Sequence, residues 1–351
     1  MIRVAVDGMG GDYAPEVVVA GAVQAANDFE HIEVVLVGQE EALKRELKKH
    51  KLVGGKLTIK HASEVVTMSD TPVAAVKKKK DSSIAVCIDL LQKREVDAVV
   101  SAGNTGAAVA GATLRLGMLK GVKRPGIAIS TPSLQGMSVV MDVGANLNPS
   151  PNELLHYAIM ASVYSKSIFK KRHPSVGLLN IGEEECKGTD VIQEAHKLLR
   201  DTTSLNFIGN IEGRDFFNGK ADCIVCDGFV GNVVLKLLES VLETSKILVK
   251  RNMQKNPLSY VGAYFMKPAI KSVLEDINYE EAGGAPLLGV DGTVIIGHGI
   301  SSAKAIRNAI RKGAEFVSTQ VNEQIVEVIA NLKTSAPDLA SGDGKSNGGA
   351  V

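Results

Sequence analysis

Short runs of aliphatic and β-branched residues recur along the chain at residues 2–6, 32–37, 98–100, 127–130, 139–143, 176–179 and 223–226. Runs this short and this apolar predict buried strands. Most are separated by segments whose apolar residues return at helical spacing. Strands alternating with helices predict an α/β fold, a mainly parallel sheet with helices on both faces. The longest helical pattern covers about residues 232–251. Val234, Leu237, Leu238, Val241, Leu242 and Leu248 share one face, while Lys236, Glu239, Glu243, Lys246 and Lys250 lie off it. That stripe predicts a packing helix. Ser301 and Ser302, ahead of Ala305, Ile306, Ala309 and Ile310, predict a helix cap.

The pattern weakens in two places. Residues 255–271 set Leu258, Tyr260, Val261, Tyr264, Phe265, Met266 and Ile270 between Lys255, Lys267 and Lys271. Apolar and aromatic groups flanked by lysines suit an amphipathic segment, at about residues 250–275, that touches a membrane, a partner or a second copy. Residues 334–351 are small, polar and glycine-rich, and read as a disordered tail. The remaining 1–333 form one α/β unit, as one large domain or two smaller ones.

Composition narrows the function. The net charge of +1 leaves no general field for nucleic acid, so any basic function must be local. No apolar run is long enough to span a bilayer. Four scattered cysteines and no secretory signal predict a reducing, cytoplasmic setting. Cys223 and Cys226 spell C-x-x-C. Residues three apart on a strand point to opposite faces, so both read as core. The acids Glu183, Glu184 and Glu185 read as solvated, and no metal or other cofactor is expected.

Glycine, asparagine and aspartate cluster after the strands: residues 7–12, 101–106, 142–146, 180–188 and 227–232. In open α/β sheets the carboxyl ends of strands bind ligands, and these loops are expected to share one cleft. Glycine lets the backbone approach an anion closely, and a helix starting just beyond aims N–H groups at it. Two nucleotide motifs fail here. Tyr13 takes the last glycine place of G-x-G-x-x-G, and Lys187 lacks the preceding glycine and following hydroxyl of a P-loop. A small oxyanion fits better than a nucleotide.

The motifs D-G-M-G-G-D-Y-A-P (residues 7–15), K-K-K-D-S-S-I (78–84), S-A-G-N-T-G-A (101–107), D-V-G-A-N (142–146), N-I-G-E-E-E-C-K-G (180–188), D-G-F-V-G-N (227–232), G-G-A-P-L-L-G-V-D-G (283–292) and G-H-G-I-S (297–301) resemble the bacterial phosphate acyltransferase family PlsX. Gly8 stands where alanine is the commoner residue. The resemblance runs to about residue 333. It implies transfer of a fatty acyl group from acyl-[acyl carrier protein] to inorganic phosphate, giving acyl phosphate for phospholipid synthesis. It also implies a fold related to isocitrate dehydrogenases and phosphotransacetylases, a homodimer, peripheral attachment to the inner face of the cell membrane, and supply of a downstream glycerol-3-phosphate acyltransferase.

Phosphate is already a nucleophile at neutral pH, so the chemistry needs donors more than a covalent residue. Lys187 is the candidate to neutralise phosphate. Asn104, Asn146, Asn180 and Asn232 are candidate amide donors, Asn104 and Asn232 foremost, with Gly103, Thr105, Gly106 and Gly231 shaping the loops. His298, between glycines, is a candidate donor to the leaving sulfur or to phosphate. Asp12 is placed beside the substrate, to orient a lysine or hold a cation. Lys77, Lys78, Lys79 and Lys80 form either a solvated helix face or a docking patch for an acidic carrier protein. The rival readings are a coenzyme A-dependent phosphotransacylase, a decarboxylating dehydrogenase and a non-catalytic membrane-surface scaffold.

Overall fold

The computed structural model describes residues 1–255 and 283–335, with Gly262, Phe265, Met266 and Pro268 between them. Most of the 250–275 segment, including Leu258, Tyr260, Val261 and Tyr264, and the tail beyond residue 335 lie outside the described residues. Each predicted run forms a strand: β1 (Ile2–Asp7), β2 (Ile32–Gly38), β4 (Ala98–Ser101), β5 (Gly126–Ser133), β6 (Gly136–Met141), β7 (Ser175–Leu179) and β9 (Cys223–Val225). The structure adds β3 (Lys56–His61), β8 (Asn206–Ile211), β10 (Ala285–Leu288) and β11 (Thr293–Ile296).

These strands make one sheet in the order β3-β2-β1-β4-β11-β10-β5-β6-β9-β7-β8. From β3 to β11 neighbours run parallel. So do β6, β9, β7 and β8. Between these blocks, β10 pairs antiparallel with both β11 and β5, and β5 pairs antiparallel with β6. The sheet is mainly parallel, with an antiparallel seam. β3 and β8 are its outer strands, and they begin with alternating exposed and half-buried residues. Edge strands need less apolar material, which is why an apolar pattern misses them.

Alternation along the strands sends neighbouring residues to opposite faces. Val4 and Val6 pack with Val18, Val19, Ile306 and Ile310, from α1 (Glu16–Asp28) and α9 (Ala303–Ser318). Ala5, between them, packs with Ile84, Ile88 and Ala108, from α4 (Ser83–Gln92) and α5 (Thr105–Arg115). In the second block Val139 and Met141 face Leu154, Tyr157 and Ile329 of α6 (Pro151–Ile168) and α10 (Val321–Ser335). Val140 and Ile224 face the other way, into the layer with α4 and α5.

α8 (Gly228–Met253) lies over that second layer, where Val234, Leu235 and Leu238 are partly buried. The stripe expected to pack is covered only in part among the described residues. Leu237, Val241 and Leu248 are 60%, 52% and 43% exposed. Burying a Val or Leu side chain is worth about 1.5–3 kcal/mol, so this stripe holds stabilisation that the described residues do not use. No described helix is long and apolar enough to cross a membrane.

Candidate active site

Asp7 ends β1 and is buried. Ser101 Oγ donates to its Oδ2 at 2.7 Å, and the Met9 N–H donates to Oδ1 at 3.3 Å. Burial pushes its carboxyl above the usual range, against the hydrogen bonds from Ser83, Ser101, Met9 and Gly10. This group draws together the loops after β1, β4 and β11. The Asp12 N–H donates to the Gly299 carbonyl at 2.8 Å, and a Cβ on Gly10 would crowd Asp7 and the Gly103 nitrogen. Asp12, Gly103 and the loop of His298 are therefore neighbours.

Asp142 plays the matching part after β6. It is buried, and it accepts from the backbone N–H groups of Ile127 (2.9 Å), Gly144 (3.0 Å), Ala145 (3.0 Å) and Asn146 (2.7 Å). Burial again pushes its carboxyl up. Its carbonyl oxygen sits where a Cβ on Gly231 would be, so the first turn of α8 can lie against it only with glycine there. Asn232, one residue on, then faces Gly144. Gly144, Asn146, Gly231 and Asn232 thus form a second loop group.

α8 joins the two groups. Lys236 Nζ lies 3.0 Å from His298 Nε2, and Glu239 Oε2 lies 3.6 Å from the same nitrogen. Asn232 and Lys236 are one helical turn apart, about 6 Å along the axis. The loops of the two blocks face each other across that turn, although β1 and β6 run in opposite directions.

The third group, residues 180–188 after β7, is tied to α7 (Asp190–Asp201), to β8 and to the turn after β8. Asn210 donates to the Glu184 carbonyl at 2.9 Å, Arg200 pairs with Glu185 at 3.1 Å, and Lys220 pairs with Glu183 at 2.6 Å. The three acids are exposed, as their sequence predicts. Lys187 is exposed, and its ammonium has no ion pair or hydrogen bond among the described residues.

The four candidate asparagines separate sharply by what their side chains already hold. Asn104 donates to the carbonyls of Thr67, Met68 and Asp70 at 3.1–3.3 Å, and accepts from the Ala107 N–H as the cap of α5. Asn146 donates to Glu153 and Tyr157 at 3.2 and 3.0 Å. Asn180 closes its own loop, through Ile181 N–H and the Lys187 carbonyl. Asn232 alone of the four is exposed and has a side chain without a hydrogen bond among the described residues. The amide that the sequence offers first at Asn104 is thus committed to holding the loop at residues 67–70. What the Asn104 loop leaves open is the start of α5, where the Thr105 and Gly106 N–H groups have no partner among the described residues.

The remaining candidates sort by the same accounting. Lys79 is tied to Asp70 at 2.6 Å and to the Val65 carbonyl at 2.8 Å, and it holds the Asp70 carboxyl down at about 2. Lys77, Lys78 and Lys80 remain exposed. Cys223 and Cys226 are buried, as expected. Phe265 is helical and 76% exposed. Asp7, Asp142, Lys236 and Glu239 were not among the sequence candidates. A lone aspartate closing an apolar strand is the signal that marks Asp7 and Asp142. A cavity of about 420 Å³ lies away from all these loops, at the amino ends of β4 and β11, between Arg94, Asp97, Asp291, Phe316 and Asn322.

A family model described as fatty acid synthesis protein matches residues 2–324. The chain is 47% identical to a phosphate acyltransferase of Dictyoglomus turgidum, over 93% of its own length and 97% of that protein. It is 48% identical to a phosphate acyltransferase of Geotalea daltonii, over 93% and 94%. In fold it is similar to a phosphotransacetylase from Streptococcus pyogenes, with a TM-score of 0.58 at 18% identity over 92% and 94% of the two chains. The EutD phosphotransacetylase from Staphylococcus aureus gives 0.57 at 15% identity, over 91% and 94%. With relatives this similar along nearly the whole chain, the protein is an acyltransferase that belongs to the PlsX phosphate acyltransferase family.

Proposed function

We propose that the enzyme transfers a fatty acyl group from the thioester of an acyl carrier protein to inorganic phosphate. The supporting observation is that two exposed donors, the Lys187 ammonium and the Asn232 amide, are engaged by no described residue, and that the start of α5 likewise leaves two N–H groups open among the described residues. Phosphate binds at Thr105 and Gly106, on the loop that Gly103 and Asn104 shape. Lys187 neutralises it, on the loop that Asn180 closes. An oxygen of hydrogen phosphate attacks the thioester carbonyl, and Asn232, held by Gly231 and the Asn146 loop, stabilises the oxyanion. The carbon–sulfur bond breaks, and the proton of hydrogen phosphate ends on the sulfur. The products are acyl phosphate and the carrier thiol. His298 lies beside this path, and Asp12 orients its loop.

The finer assignments belong to the same reading. Lys77, Lys78 and Lys80 meet the acidic carrier. The exposed stripe of α8 meets a second copy in a homodimer, and the segment carrying Leu258, Tyr260, Val261, Tyr264 and Phe265 touches the inner membrane surface. There the acyl phosphate is handed to a glycerol-3-phosphate acyltransferase. The reaction needs no cofactor. The test is acyl phosphate formation with phosphate and either acyl-[acyl carrier protein] or acyl coenzyme A. Faster turnover of the carrier ester is expected, and equal or better turnover of the coenzyme A ester overturns the choice of donor.

A further inference from the structure

Two glycines bound the Lys187 loop, and they are glycine for different reasons. Gly188 has a φ of +84°, and a Cβ there would stand 2.7 Å from Asn180 Oδ1. That oxygen accepts from the Ile181 N–H, and the amide nitrogen of the same side chain donates to the Lys187 carbonyl at 3.1 Å. Gly188 therefore serves the scaffold of the loop. Gly182 has no such need. Its φ lies outside the left-handed region, and the three atoms nearest to a Cβ built on it all belong to side chains. They are Glu184 Oε2 at 2.8 Å, Lys187 Cγ at 2.9 Å and Lys187 Cδ at 3.4 Å.

The backbone of Lys187 is held on both sides. Its N–H donates to the Glu184 carbonyl at 3.1 Å, and its carbonyl takes the bond from Asn180. What remains to be set is the direction of a long, flexible stem. Here that stem lies across the bare α-carbon of Gly182, which is buried although the residues on either side of it are exposed. Carbon atoms in contact rest about 3.5–4.0 Å apart, so a methyl on Gly182 would push Cγ away by about 1 Å. Cγ is near the root of the side chain, and the ammonium further out would swing by more.

We propose that Gly182 is a positioning residue for the acyl transfer: its missing side chain lets the Lys187 stem fold across the loop, and this sets the direction in which the ammonium meets phosphate. The proposal rests on the assignment of Lys187 to phosphate made above. Misplacing a group that orients a reactant by about 1 Å is enough to cost up to about a hundredfold in rate. The cost to the fold is small, because the atoms that must yield belong to two exposed side chains and not to backbone, and alanine restricts the unfolded chain more than glycine does. Activity and stability are thus expected to separate at Gly182 and to fall together at Gly188.

The test is a double-mutant cycle read as kcat/KM for inorganic phosphate, with acyl-[acyl carrier protein] as donor, beside urea denaturation of each variant. Gly182→Ala is expected to lose about tenfold, chiefly through a raised KM for phosphate, with KM for the acyl donor within about twofold and a urea midpoint at or slightly above that of the wild type. In Lys187→Ala, which lacks the stem, adding Gly182→Ala should cost less than about twofold more. Glu184→Ala should keep the wild-type rate, and Gly182→Ala/Glu184→Ala should keep the loss of about tenfold. Equal losses with and without the lysine stem, recovery on removing the Glu184 side chain, or a urea midpoint that falls with activity overturns the proposal. So does a wild-type rate in Gly182→Ala while Lys187→Ala is impaired, a result that leaves the phosphate role of Lys187 standing. A wild-type rate in Lys187→Ala overturns that role, and the proposal with it.

Discussion

Asp7 and Asp142 occupy equivalent places in the two parallel blocks, each closing a strand and each buried under a glycine loop, yet they are satisfied in different ways. Asp7 leans on the hydroxyls of Ser101 and Ser83 together with the N–H groups of Met9 and Gly10. Asp142 is surrounded by backbone N–H groups from both sides of its loop. A hydroxyl can turn and accept where it once donated, whereas a backbone N–H cannot. The first loop is therefore built to tolerate a change of hydrogen-bonding sense, and the second is not. Residues 180–188 contrast with both, because among the described residues they leave Lys187 unpaired instead of spending it on the scaffold.

The change expected to break this contrast hardest is Gly231→Ala, because the new methyl would fall on the Asp142 carbonyl. A loss of at least about 3 kcal/mol in urea denaturation is expected, since backbone on both sides resists the shift. Next comes Lys187→Ala. Acyl phosphate formation should fall at least about 100-fold, equivalent to about 2.7 kcal/mol in the barrier, with stability within about 0.5 kcal/mol of wild type. A stability loss as large as the activity loss would place Lys187 in the scaffold and erase the distinction between the loops.

Asp142→Asn should be smaller, about 2 kcal/mol, because its amide would point N–H at N–H wherever it is turned. Asp7→Asn should be smallest, within about 1 kcal/mol, since Ser101 can accept from the new amide while Met9 keeps its acceptor. It also sharpens the comparison through pH. The folded Asp7 carboxyl lies above its ordinary value of 3.8 because burial disfavours the charge. The stability tied to its protonated form is complete below that value and declines as pH rises through the raised folded pKa. Asn cannot ionise, so the variant should gain on the wild type as pH rises from the acid range toward neutral. Parallel stability–pH curves for the two proteins would refute this.

Much of the fold was legible in the sequence because buried strands must be apolar and packing helices must carry a stripe. β1, β2, β4, β5, β6, β7 and β9 announce themselves in that way. β3 and β8 do not, as edge strands face water on part of their length. Short β10 and β11 lie within a run dense in glycine, where strand and loop signals overlap. The stripe on α8 was legible as a stripe, but a pattern carries no statement of what covers it. Leu237, Val241 and Leu248 remain uncovered within the described residues.

For the site, the sequence alone determined the loops and their chemistry. Glycine, asparagine and aspartate after apolar strands can serve few purposes besides tight turns and anion contact. Only the tertiary structure decided which of these residues are spent. Asn104, Asn146 and Asn180 look like Asn232 in sequence, and hydrogen-bond partners 34, 11 and 7 residues away in the chain, respectively, take their amides. Lys236 and Glu239 look like any polar helix face, and become part of the site because α8 carries them to His298 across the sheet. A side chain's type is written in the chain, while its freedom to act depends on which distant groups the fold brings within 3 Å of it.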